Sequence, residues 1–286
     1  MPRDSPLIPD SRPLNPILTG AKSMKIVVLM KQTPDTAQLS ASMDGLQLMA
    51  GGPRIINPWD EYAIEEGLKL REAHGGSVTL LCLGDPAAAE ALKRGLAMGA
   101  DEAVLLSDPA FDGGDTLATA RALAAAIRKL GDVDLVIAGR SSIDGGNHAT
   151  AVQTAALLDV PQLSYVAAIT AVDPAAQTIT VERAIDTGRQ TVSSRLPAVM
   201  SVVKEINEPR YPSFMQIRKA AKKEIPVWGP AELGLDAGQV GAAGSQVSWP
   251  VVELPPARDA QVEIIGGTPD EAAKTLVDRL LAEKII

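Results

Sequence analysis

The stretch DLVIAGRSSIDGGNHAT, residues 134–150, carries two periodicities on either side of a turn. Leu135 to Gly139 are apolar without alternation, as in a strand buried on both faces. A helical pattern begins near His148 and runs to Leu158. A strand of that kind belongs inside a parallel sheet with helices above and below. The glycines and hydroxyl side chains between the two halves mark a loop at the strand's carboxyl end.

Working outward, the same unit recurs. KIVVLM (25–30) precedes a helix from about Pro58 to His74, VTLLCL (78–83) one from about Pro86 to Met98, and AVLL (103–106) one from Thr116 to Leu130. The expected class is α/β, a doubly wound, mostly parallel sheet with helices on both faces. Helix punctuation agrees: Asn57 and Pro58 suit the cap and first position, Asp60 the first turn, and Gly75 and Gly99 the stops. Residues 162–204 read as shorter strands that extend the sheet. Beyond Glu224 the Pro- and Gly-rich stretch predicts an extended C-terminal arm. It ends in a helix opened by Pro269 and by a capping box of Thr268 and Glu271. The expected organisation is an extension over 1–23 without a fold role, an α/β domain over 24–223, and an arm and helix over 224–286.

Composition narrows the function. The 286 residues are 46% apolar, enough for a sizeable core. A net charge of −8 and 3% aromatics argue against nucleic acid or an anionic membrane as partner. The single cysteine, Cys82, sits in an apolar run and suits a reducing compartment, with a cytoplasmic location expected. The two histidines, His74 and His148, and the absence of a cysteine cluster give no sign of a metal site. The proline-rich first 23 residues hold no apolar run suited to a signal peptide or anchor, and Asp4 and Asp10 oppose a transit peptide.

Open parallel sheets bind ligands beyond the carboxyl ends of their strands. The segments there include Lys31 to Thr36, Leu83 to Asp85 and Gly139 to Asn147. In the last, Gly145 and Gly146 suit close approach of backbone amides to an anion, and a helix opening at Asn147 or His148 adds free N–H groups. Ser141, Ser142 and Thr150 add hydroxyls. Phosphate binding and a plain tight turn capped by Asp144 both fit this spacing. No GxGxxG, GxxxxGK[ST] or GxSxG pattern occurs. His148 reads as a helix-start residue rather than a base. NEPRYPSFMQIRKAAKK, residues 207–223, sets Arg210, Arg218, Lys219, Lys222 and Lys223 against one acid, Glu208. It fits a solvated basic helix or a docking element.

Six segments, NPWDEYAIEEGLKL (57–70), ALKRGLAMGAD (91–101), DLVIAGRSSID (134–144), LDVPQ (158–162), ITVERAIDTG (179–188) and residues 207–223, together resemble the β subunit of electron transfer flavoprotein. The resemblance runs from about Met24 to Leu235. It implies an electron carrier without catalytic residues of its own, paired with an α subunit that carries FAD. It also implies a β-subunit nucleotide, AMP in ordinary members and a second FAD in bifurcating ones. The cofactor-binding residues implied are Leu29, Asn57, Pro58, Trp59, Asp60, Leu83, Gly139, Arg140, Ser141, Ser142, Ile143, Asp144, Gly145, Gly146, Asn147, His148, Ala149 and Thr150. Here the chain reads IDGGNHATAV, matching neither the IDGDTAQVGP of bifurcating members nor the IDDDxNQTG of ordinary ones. AMP is favoured over a second FAD. Trp59 is either near the α-bound flavin or a core aromatic.

By the same resemblance, residues 207–223 are a recognition loop for flavin dehydrogenases of the acyl-CoA dehydrogenase type, in fatty acid β-oxidation. Phe214 stands at the leucine anchor, with Arg210, Tyr211, Met215, Arg218 and Lys222 as partner-binding residues. Electrons then pass to a quinone-reducing or other oxidoreductase. A stand-alone adenine-nucleotide module is the alternative. Its enzyme form needs an SGGxDS-like loop after the first strand, where this chain reads MKQTPDT.

Overall fold

A computed structural model describes residues 23–38, 51–251, 253 and 262–286. The extension expected over 1–23 lies outside these residues apart from Ser23. The first half builds β1 (Met24–Met30), β2 (Gln32–Pro34), β3 (Arg54–Ile56), α1 (Pro58–His74), β4 (Gly76–Leu83), α2 (Ala88–Met98), β5 (Glu102–Leu106), α3 (Thr116–Leu130), β6 (Leu135–Gly139) and α4 (Thr150–Leu158). Then follow β7 (Gln162–Asp173), β8 (Thr178–Ile185), β9 (Gly188–Arg195), β10 (Ala198–Val202), α5 (Phe214–Ala220), β11 (Val227–Trp228) and the single turn α6 (Gly241–Gly244). Nine of these strands make one sheet in the order β11-β5-β4-β1-β6-β10-β7-β8-β9. β2 and β3 pair separately.

β1 shows why unbroken apolar runs give this architecture. Ile26, Val28 and Met30 point to a core shared with α1 and α2, while Val27 and Leu29 point to a second core shared with α3 and α4. Both faces are thus covered, and the strand residues between them are mostly apolar, with Thr79 and Ser201 as buried exceptions. The pairs β1–β4, β1–β6, β4–β5, β6–β10 and β7–β10 are parallel, and β8 and β9 continue as an antiparallel ribbon. β4 and β5 lie to one side of β1, and β6 lies on the other. The winding therefore reverses between β1 and β6, which opens a crevice beyond Met30 and Gly139.

Three local expectations change. α2 starts at Ala88, not Pro86, because the Asp85 carboxylate accepts the Ala87 N–H and closes a turn first. α4 starts at Thr150, since His148 has φ 54 and a left-handed residue cannot lie within a right-handed helix. β10 does not extend the sheet edge but enters between β6 and β7.

Val251–Ile286 form a separate unit. Its helix α7 (Pro269–Ala282) has Pro269 in the first turn and the Thr268–Glu271 capping box.

Candidate functional site

The crevice is organised by the first turn of α1. Asp60 is buried, and its Oδ2 accepts the Lys31 N–H at 2.8 Å while Oδ1 accepts the Gly139 N–H at 3.2 Å. One carboxylate therefore joins the ends of β1 and β6. Asn57 does not cap α1. Its side-chain amide donates to Ser141 O at 2.8 Å and accepts the Ile143 N–H at 3.2 Å, which pins the loop after β6. Lys31 Nζ reaches both Asp144 carboxylate oxygens, at 2.9 and 2.7 Å. Gly139 admits no side chain: a Cβ there would lie 2.5 Å from Asp60 Oδ1 and 2.6 Å from the Trp59 carbonyl carbon.

Burial pushes the Asp60 carboxyl up to about 7, against the opposing pull of Lys31, Asn57 and Gly139. Burial also works against ionised Asp144, yet the Lys31 ammonium and the Ser142 side chain outweigh it and hold that carboxyl below its usual range. Cys82 is buried with its thiol pushed up to about 12, so it supplies no thiolate at neutral pH.

A cleft of about 520 Å³ opens on this floor, within the range of roughly 300–1,000 Å³ typical of small-molecule sites. It gathers Leu29, Asn57, Asp60, Leu83, Gly139, Arg140, Ser141, Ser142, Asp144, Gly145, Asn147, His148, Ala149 and Thr150. Pro58, Trp59, Ile143 and Gly146 do not line it. The Gly-Gly pair is not a free cradle either. Gly145 N–H donates to Ser142 Oγ and Gly146 N–H to Ser142 O, closing a turn.

The open anion-seeking groups lie elsewhere. Ala149 has no side chain that can cap α4, so the helix presents its first N–H groups uncapped beside the cleft. The Arg140 guanidinium stacks over Trp59 at 4.0 Å, and its Nε is buried without a hydrogen-bond partner. Lys31 is paired with Asp144 and Arg54 with Asp85. Among the described residues, Arg140 is the cleft guanidinium without a carboxylate partner.

The far wall was missed in the sequence. It consists of Phe111 to Thr116 with Thr119 and Leu123, and Val247 and Trp249 close it. Asp115 ties this wall together by capping α3 through the Ala118 N–H at 2.8 Å and accepting the Gln246 N–H at 2.7 Å. The signal was present, because FDGGDT follows β5 as IDGG follows β6. The carboxyl-end rule applied to this strand would have found it.

In the segment 207–223, Tyr211, Phe214 and Met215 are 93%, 73% and 72% exposed, and Arg218 and Lys222 are exposed beside them. Ser213 and Gln216 form a capping box that fixes the start of α5. Arg210 differs from its neighbours. Its guanidinium binds buried Glu65 at 2.8 and 2.9 Å and Glu72 at 2.6 and 3.2 Å, so it fastens the segment to α1. No group of described residues could hold a metal ion. No described helix is long and apolar enough to cross a membrane.

Fold and cleft define a doubly wound α/β protein with its main cleft at the switch point of the sheet. The chain belongs to the electron transfer flavoprotein family, as a β subunit, a class of electron carriers rather than enzymes. The electron transfer flavoprotein domain matches residues 46–233. The chain is 40% identical to the electron transfer flavoprotein subunit beta of Thermoanaerobacterium thermosaccharolyticum, over 92% of this chain and 100% of that one. It is 39% identical to Protein FixA of Azorhizobium caulinodans over 91% and 93% of the two chains. It is 38% identical to the caffeyl-CoA reductase-Etf complex subunit CarD of Acetobacterium woodii over 92% and 100%.

Asp60 makes stability depend on pH. Its carboxyl lies near 7 when folded and near 3.8 when unfolded, so between these values the native state holds more protons. Its contribution is therefore fullest below about pH 4 and declines as pH rises towards 7, by about 4 kcal/mol in all. Urea unfolding of the native chain and of Asp60→Asn at several pH values should show the native chain losing stability relative to the variant across this window. A constant difference would contradict the assignment.

Proposed function

We propose that this β subunit pairs with an FAD-bearing α subunit, holds an adenine nucleotide in the cleft, and docks flavin dehydrogenases through residues 207–223. The observation that carries the nucleotide reading is that a guanidinium without a carboxylate partner, Arg140, and the uncapped start of α4 line the same preformed cleft. A phosphate supplies the missing acceptor for both. AMP satisfies them. A second FAD, its AMP half in the same place, is favoured by one feature: the cleft continues to the Asp112–Thr116 loop and to Trp249. Flavin supplies one- and two-electron transfer. This chain's residues bind and orient, with Asp60 and Asn57 fixing the cleft floor and Trp59 holding the Arg140 plane.

Docking rests on Phe214. An exposed aromatic on a capped helix, ringed by cations, plugs a partner pocket while the charges orient the approach to an acidic surface. One of the similar proteins belongs to a reductase–Etf complex by name, which suits a partner that handles CoA esters. The Arg210 clamp presents the plug on a rigid base.

Arg140→Ala should weaken AMP binding to the nucleotide-stripped αβ complex by about tenfold to a hundredfold in calorimetry, with the melting temperature of the stripped complex unchanged. Equal affinity would remove Arg140 from the site. Phe214→Ala should leave flavin content intact and slow reduction by the partner dehydrogenase by about tenfold or more. An unaltered second-order rate would mean that docking occurs elsewhere.

A further inference from the structure

Two bulky residues, His148 in the cleft lining and Tyr165 in β7, adopt the left-handed backbone region that glycine favours, and they touch. His148 has φ 54 and Tyr165 has φ 56. Residues held there cost free energy, and such strain concentrates where a side chain has a task. Tyr165 stands in β7 where its register against β10 slips, between the pairs Met200–Leu163 and Val202–Val166. There its N–H donates to Ser201 Oγ at 3.2 Å. A bulge of this kind re-aims a side chain. The Tyr165 hydroxyl lies 3.2 Å from His148 Nδ1, with the two rings 6.0 Å apart and tilted by 34°. His148 lines the cleft, two residues before the uncapped start of α4.

We infer that Tyr165 and His148 form a pair that reads the phosphoryl group of the cleft's nucleotide. The Tyr165 O–H donates to His148 Nδ1, which fixes the imidazole as the tautomer protonated on Nε2. That N–H, on the side of the ring away from Tyr165, donates to a phosphoryl oxygen. His148 is then a ligand-binding residue and Tyr165 a positioning residue, and together they separate a phosphorylated nucleotide from its nucleoside. The inference rests on the nucleotide reading above. It adds a specificity element that the spacing of residues 139–150 did not reveal, because Tyr165 lies on a different strand.

The test compares AMP with adenosine, titrated by calorimetry into the nucleotide-stripped αβ complex. His148→Gly suits the left-handed backbone and leaves no side-chain donor, and Tyr165→Phe removes a single oxygen. His148→Gly should lower AMP affinity about tenfold, the size of a lost hydrogen bond to a charged group, and Tyr165→Phe severalfold. Adenosine affinity should stay at the wild-type value in both. If AMP and adenosine weaken together, the pair only shapes the loop, and the inference is overturned. If neither changes while Arg140→Ala still weakens AMP, the inference is overturned and the nucleotide reading stands. If the unaltered complex binds neither AMP nor FAD, both fall.

Discussion

A single buried carboxylate holds the site together. Asp60 takes one N–H from the end of β1 and one from the end of β6, the two strands between which the sheet reverses its winding. Parallel strands that part at a switch point leave backbone donors without ladder partners, and burying such donors unpaired costs more than most single contacts return. Asp60 resolves that cost and fixes the spacing of the crevice. The consequence is a carboxyl pushed up by its burial in the cleft floor. The fold tolerates it because Lys31 and Asn57 stand close by and because Gly139, lacking a side chain, lets the backbone come within reach.

From this bracket the cleft divides into groups that serve the protein and groups left for a ligand. Asn57, Asp60, Asp144, Lys31 and the Gly145–Gly146 amides are all consumed by internal bonds, so they shape the cavity. Arg140, His148 and Thr150 at the start of α4 line the same space; Arg140 Nε has no hydrogen-bond partner within the chain, and no side chain caps α4. α1 extends the arrangement, since the helix that begins at the cleft also carries Glu65 and Glu72, on which Arg210 seats the exposed Phe214 segment. The cleft floor and the exposed Phe214 segment are thus both built on one rigid element.

The fold was legible because its signals are local. Unbroken apolar runs demand two covering layers, and the glycine stops expected at Gly75 and Gly99 end α1 and α2. The cleft's position followed from the carboxyl-end rule. Side-chain roles within it were not legible. Asn57 has the composition of a helix cap, yet its amide finds better partners 84 and 86 residues away, at Ser141 and Ile143. Gly145 and Gly146 looked like an anion cradle, but Ser142 had already claimed their amides. Tyr165 was invisible because a β-bulge, which no residue type announces, turns it towards His148. Arg210 read as one more cation in a basic run, although its acidic partners sit on a helix more than a hundred positions earlier.

The most direct measurement is chemical. The αβ complex, purified without added nucleotide and then denatured, releases its small molecules for identification by mass and for counting against the β chain. The expected result is one adenylate-containing compound per β subunit beyond the FAD of the α subunit, either AMP or a further FAD. A single FAD per heterodimer, with no other nucleotide and no uptake of either compound on incubation, would contradict a ligand site at the β1–β6 crevice.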